Sequence, residues 1–331
     1  MLMKSDYYIT VEGSLSRKEN TLYFENDMGR RIIPVEKINA IYSFRSLSLT
    51  AGVIGMLCKC GVPVHFFGWY GNYEGTLWPK ETLLSGDLVV KQAEHYLDHQ
   101  KRIDLARRFV RGSILNLQVN VSAHKDEIRD AERYLAAFEK ESESLEKYES
   151  IEQLMSAEGH VRDAYYEVMD SLLPEEFKIL CREKRPPSNK GNCLLSFGNG
   201  LVYSTVLSEI YRTHLSPTIS FLHEPSERRF SLALDVAEIF KPIIADRVVL
   251  ALTRRKMLSD SDFDSDIGNV LLSDKGKRLF LQQYDEKLNV TIKHKGLGRN
   301  VSYRHLIRLE LYKIEKHLLR VKEYRPLRMW W

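Results

Sequence analysis

His223 closes the apolar run Ile219-Ser220-Phe221-Leu222, and Glu238 follows fifteen residues later inside the apolar segment from Phe230 to Phe240. An imidazole and a carboxylate set into apolar stretches are expensive to desolvate, and one divalent cation would compensate both. A third candidate lies upstream. In a helix expected over 151–172, Ile151, Leu154, Val161, Tyr165, Val168 and Leu172 fall on one stripe, and the position missing from it is Glu158. An i to i+4 pair with Arg162 would stabilise such a helix by only a few tenths of a kcal/mol, which accounts for the pairing but not for the inward position. Asp235 precedes Glu238 by three residues and shares its face of a second helix, expected over 231–240. One imidazole and two carboxylates without thiolate suit Mn²⁺ or Mg²⁺, while Zn²⁺ with two oxygens and a nitrogen stays open. A hard ion beside a basic surface points to phosphodiester chemistry. The competing account of the same residues is a buried polar network in a non-catalytic nucleic-acid-binding scaffold.

The elements that must position these groups fall into two kinds. Residues 7–11, 21–24, 31–35, 40–44 and 62–67 are rich in β-branched and aromatic residues and read as strands, with a short helix from Leu49 to Cys60 stopped by Gly61. After Trp78-Pro79 apolar residues recur at three and four instead of two. Long polar helices are expected over 91–117 and 122–148, ahead of the two that carry the acids. Pro242 should break the second acid-bearing helix, with a restart just beyond it. The fold class is therefore α+β, a small N-terminal β-rich domain over residues 1–85 followed by a larger all-α C-terminal domain over 86–331.

The composition is that of a globular chain, 44% hydrophobic and 28% charged, so disorder is excluded as the default. No apolar run approaches the roughly 20 residues of a membrane span, and the first residues lack an apolar secretory core, so a cytoplasmic protein with no membrane partner is expected. Cys58, Cys60, Cys181 and Cys193 form no paired Cys-x-x-Cys units and are expected as free thiols. The net charge of +4 conceals an asymmetry: residues 139–176 hold twelve acidic against three basic residues, and 293–331 hold eleven basic against three acidic. The second segment also carries Tyr303, Tyr312, Tyr324, Trp330 and Trp331, which suits a polyanion with stackable bases as well as a solvated face. The acidic loop 260–266 has neither the Gly nor the Glu of a calcium-binding EF-hand and is expected as a turn.

Four segments occur in order: Glu158-Gly159-His-Val-Arg162-Asp-Ala-Tyr165-Tyr166, Arg185-Pro186-Pro187 leading to Asn192-Cys-Leu-Leu-Ser-Phe-Gly198-Asn-Gly200, Phe221-Leu222-His223-Glu-Pro225, and Leu234-Asp235-Val-Ala-Glu238-Ile-Phe240-Lys-Pro242-Ile-Ile-Ala-Asp246-Arg247. Together with the β-rich start and the Tyr324-Arg325-Pro326-Leu327 ending, the chain resembles the CRISPR-associated endonuclease/integrase family, the catalytic subunit of the spacer-acquisition complex. The resemblance implies that Glu158, His223 and Glu238 are the metal ligands and the catalytic centre, with Mn²⁺ or Mg²⁺ as cofactor. It implies a homodimer, two such dimers bridged by a small dimeric partner protein, and insertion of short DNA fragments into a CRISPR repeat by attack of a 3′-hydroxyl on a phosphodiester. Asp235 would support the ligands, Arg162 and Tyr165 would orient Glu158 or touch DNA, with simple core the alternative for Tyr165 on its apolar stripe, and Asn192 would belong to the site or cap its helix. Lys101, Arg102, Arg107, Arg108 and Arg111, with Arg299, Arg304 and Arg308, would hold the DNA backbone. Two positions depart from the family pattern, Ser188-Asn189 for the more usual Lys-Asp and Ser220 for Gly; neither removes a proposed ligand.

Overall fold

The computed structural model describes residues 4–81, 83–183, 187–225, 230–266 and 268–330. Arg185 and Pro186 of the second motif, and Trp331, lie outside them. The N-terminal part contains β1 (Ser5–Ile9), β2 (Gly13–Lys18), β3 (Thr21–Asn26), β4 (Gly29–Pro34), β5 (Ile38–Ser43), β6 (Leu47–Leu49), α1 (Ala51–Cys60), β7 (Val64–Phe67) and β8 (Tyr73–Leu77). They form two four-stranded sheets, β1-β5-β7-β8 and β4-β3-β2-β6. Sequence reading missed β2, β6 and β8, which are short or lack a run of β-branched residues.

Every residue of β5 is buried, because this strand is covered on both faces. Ile38 and Ile41 join Leu15, Leu22, Val53 and Leu57 in the core of the β-rich part. Ala40 and Tyr42 face the other way, into the large core of the helical part. Polar pins lock that junction: His65 Nε2 meets Ser208 Oγ at 2.6 Å, and Arg304 donates to Asp6 at 2.5 Å.

The remainder contains α2 (Gly86–Leu97), α3 (His99–Ala123), α4 (Ala131–Ser144), α5 (Ile151–Leu172), α6 (Lys190–Ile210), α7 (Ser231–Phe240), α8 (Arg247–Arg254), β9 (Phe263–Asp266), β10 (Asn269–Leu272), α9 (Asp274–Asn289), β11 (Thr291–Lys293), β12 (Asn300–Ser302) and α10 (Tyr303–Leu318). It is mostly helical and not all-α: β9 pairs with β10 and β11 with β12 as short antiparallel hairpins. The first of these absorbs the acidic loop. α6 is apolar around most of its circumference and is the central helix against which α7 and α10 pack. The expected helix over 122–148 is instead the end of α3, a turn, and α4, which starts after Asp130 in the left-handed conformation, one that Asp tolerates. None of the helices is long and apolar enough to cross a membrane among the described residues. All four cysteines are free.

Candidate active site

α5 begins at a capping box in which Ser150 Oγ accepts from the Gln153 amide and the Gln153 side chain accepts from the Ser150 amide. With its start so fixed, the helix turns Tyr165 fully inward and leaves Glu158 partly buried, one turn before Arg162. α7 packs along α3 and α6 and carries Asp235 and Glu238, both buried. Pro242 follows the end of α7 at Phe240, where the break is expected. It opens a π-helical turn, Pro242–Asp246, in which the Asp246 amide donates to the Lys241 carbonyl, and α8 follows directly. The wider turn accommodates the proline ring without ending the helical path, and Asn120 holds it by donating to the Pro242 carbonyl at 2.6 Å.

Arg162 is the hub of the cluster. Its Nη2 donates to Glu238 Oε2 at 2.5 Å, to Glu158 Oε1 at 3.2 Å and to Ser113 Oγ at 3.2 Å. Lys241 Nζ takes the other Glu238 oxygen. Burial pushes the Glu238 carboxyl up, but Lys241 and Arg162 outweigh it and hold the group at about 2. The i to i+4 pair is therefore present, and it also joins the two carboxylates across helices.

His223 approaches from the loop before α7. Asp235 accepts from the amides of Phe221, Leu222 and His223, and its Oδ1 accepts from His223 Nδ1 at 2.8 Å. Burial lowers the His223 pKa, but the bond to Asp235 and the charge of Glu238 raise it further, so the net shift is upward. With Nδ1 engaged, Nε2 makes no hydrogen bond among the described residues. Asp235 is thus the residue that builds the His223 loop.

The three candidate ligands stand on three elements, with Glu158 and Glu238 joined through Arg162 and His223 in the field of Glu238. Among the described residues, no three acidic, imidazole or thiol groups lie at metal-ligand spacing; Arg162 engages one oxygen of Glu158 and one of Glu238, and Lys241 the other Glu238 oxygen. The donor set itself fits a hard divalent ion: one imidazole with its Nε2 unengaged and two carboxylates whose concentrated charge draws two cations.

Other expected site residues have different placements. Tyr165 is buried, and its hydroxyl accepts from Asn120 at 2.9 Å, which gives it a core position and no access to DNA. Asn192 does not cap α6; Asn189 does, while Asn192 is buried and staples the 179–183 segment through Ile179, Cys181 and Glu183. The five cations of α3 all have protein partners. Lys101 pairs with Glu94 and Asp98, Arg107 and Arg111 with Glu146, Arg108 with Asp104 and Glu323, and Arg102 with Glu224. Arg304 is buried against Asp6, and Arg308 pairs with Glu209. Those seven hold the fold together, whereas Arg299 is exposed.

Sequence reading assigned no role to Lys241, Asn120 or Asp246. Lys241 had a visible signal, its spacing of three from Glu238; Asn120 had none. Asp246 is buried, and its Oδ2 has no hydrogen-bond partner. Burial pushes its carboxyl up to about 6.

The sequence model of a family described as CRISPR associated protein Cas1 matches residues 7–286. A CRISPR-associated endonuclease Cas1 from Methanothermobacter thermautotrophicus is 48% identical over 331 residues, covering 100% of this chain and 97% of its own. The solved structure of a Cas1 protein from Thermotoga maritima, 39% identical, superposes with a TM-score of 0.88 over 98% of this chain and 100% of that one. A Cas6-RT-Cas1–Cas2 complex, 15% identical, shares the fold with a TM-score of 0.84 over 99% of this chain and 36% of that longer one. Family model, sequence and fold agree over nearly the whole length, and the chain belongs to the CRISPR-associated Cas1 family.

Proposed function

We propose that this chain is a divalent-metal-dependent DNA endonuclease and integrase that inserts short DNA fragments into a CRISPR array. The observation that carries this reading is the junction of Glu158 and Glu238 on one guanidinium, with His223 turned toward the same cluster by Asp235. Glu158, His223 and Glu238 would hold Mn²⁺ or Mg²⁺, which when bound supplies Lewis acidity to a phosphoryl oxygen and lowers the pKa of a hydroxyl nucleophile. Arg162 holds the two carboxylates close together, and Lys241 adds a second cation where phosphate charge would develop. Asp235 fixes the His223 tautomer with the proton on Nδ1. In strand transfer the fragment's 3′-oxygen bonds to a repeat phosphorus, the P–O3′ bond of the repeat breaks, and the displaced oxygen leaves as a hydroxyl.

The relatives' name supplies the endonuclease activity, and the Cas1–Cas2 assembly that shares the fold supplies the model for a partner. We assign residues 1–85 as the dimerisation domain and 86–331 as the catalytic one, working in the cytoplasm as a homodimer, with two dimers bridged by a small dimeric partner. Arg299, exposed near the β11–β12 hairpin, is the expected phosphate contact that the geometry leaves available. A labelled fragment, a repeat-bearing duplex and the partner protein test the reading: joining should stop with a chelator and return with Mn²⁺ or Mg²⁺. A scaffold protein would be indifferent to both.

A further inference from the structure

The loop that carries His223 is gripped from two sides. Asp235 holds the backbone amides of 221–223 from within. From the opposite side, Arg102 Nε donates to the Phe221 carbonyl at 3.0 Å and Nη2 to Glu224 Oε1 at 2.6 Å. The Arg102 guanidinium also lies over the Tyr96 ring, 4.4 Å from its centroid, and the Tyr96 hydroxyl donates to Glu224 Oε2 at 3.0 Å. Upstream, the buried Gln92 amide donates to the carbonyls of Ser216 and Ile219. α2 and α3 therefore reach the loop on both sides of His223, at Phe221 and at Glu224.

We propose that Arg102, Glu224 and Tyr96 form a clamp that positions His223, and that Arg102 is a positioning residue instead of a phosphate contact. The chemistry favours this assignment. A planar guanidinium can bridge a carbonyl and a carboxylate in one plane while stacking on an aromatic ring, and all three contacts are made here. Three of the four atoms that bond this loop to Asp235 are backbone amides, so they fix the chain's path only if its outer side is also restrained. The Phe221 carbonyl shares its peptide unit with the Leu222 amide that Asp235 holds, and Glu224 is the residue immediately after His223.

The proposal rests on His223 belonging to the catalytic centre, and its test separates the two claims. Arg102→Ala, Arg102→Lys, Glu224→Gln and Tyr96→Phe are compared with the unaltered chain in Mn²⁺-dependent strand transfer, in duplex binding against salt, and in amide hydrogen exchange at Leu222 and His223. Arg102→Ala should lower kcat about tenfold, the lower end for residues that orient a metal ligand, with KM for DNA and the salt slope unchanged. Exchange at Leu222 and His223 should quicken in the same variant without metal or DNA present. Glu224→Gln should move both readouts the same way by less, and Arg102→Lys should recover only part of the loss. A raised KM with a shallower salt slope and unchanged amide exchange would make Arg102 a phosphate contact and overturn the clamp. If Arg102→Ala fails to fold, Glu224→Gln and Tyr96→Phe carry the same readouts, and unchanged exchange and kcat in both overturns it. If His223→Ala retains full strand transfer, the site reading fails, whereas the exchange data still decide whether the clamp holds the loop.

Discussion

Arg162 Nη2 lies 2.5 Å from Glu238 Oε2, joining a helix that starts at Ile151 to one that starts at Ser231. Because the same nitrogen also serves Glu158, one guanidinium sets the distance between two carboxylates that are eighty residues apart in the sequence. Removing it leaves both acids short of a cation. Arg162→Met should therefore destabilise the fold by about 3–5 kcal/mol, the range for breaking a buried pair from one side, and abolish strand transfer. Chemical denaturation measures the first; a loss below about 1 kcal/mol would mean the pair is solvent-screened.

Glu238 sets an acid limit on stability. Its carboxyl is held at about 2 in the fold against roughly 4.3 in an unfolded chain, so its contribution is fully present above the unfolded value and is lost as pH falls through about 2. The urea midpoint should drop more steeply between about pH 5 and pH 2 in the unaltered chain than in Glu238→Gln. Parallel slopes would contradict the part assigned to Lys241 and Arg162.

Asp246 should behave in the opposite sense. Its carboxyl is raised to about 6, so the fold is favoured by protonation, and this gain is lost as pH rises through about 6. Asp246→Asn should raise Tm at about pH 7.5 and change it little near pH 4. A lower Tm at the higher pH would show that the carboxylate itself is needed by Arg162, Lys241 or Tyr165.

Gly159 sits mid-helix beside Glu158, and a Cβ there would meet no atom within 4 Å. Nothing in the protein's own packing requires glycine, and glycine in a helix interior costs about 1 kcal/mol relative to alanine. Gly159→Ala should stabilise the chain by about that amount and lower strand transfer, since a side chain would intrude where the DNA backbone approaches the carboxylates. Unchanged transfer would place the DNA elsewhere.

The parts of this arrangement that sequence revealed are those governed by local periodicity. The stripe of α5 and its gap at Glu158, and the bounds of α7, follow from burial on one face of a helix, and both helices lie where the spacing put them. The α3 cations misled for a physical reason. Charge density along a helix is local, but Glu146, Glu224 and Glu323 return to it only through the fold, and they convert four of the five apparent phosphate contacts into internal pairs, while Lys101 pairs with the nearby Glu94 and Asp98. The π-turn at Pro242 was likewise hidden, because the contact that stabilises it comes from Asn120 on another helix.

The central claim is that Glu158, His223 and Glu238 form one metal site. Electron paramagnetic resonance of Mn²⁺ titrated into the protein without DNA tests it most directly, in the unaltered chain and in Glu158→Gln, His223→Ala and Glu238→Gln. One tight ion per chain, weakened at least about tenfold by each substitution, is the expected result. Equal Mn²⁺ affinity in all four proteins would contradict it.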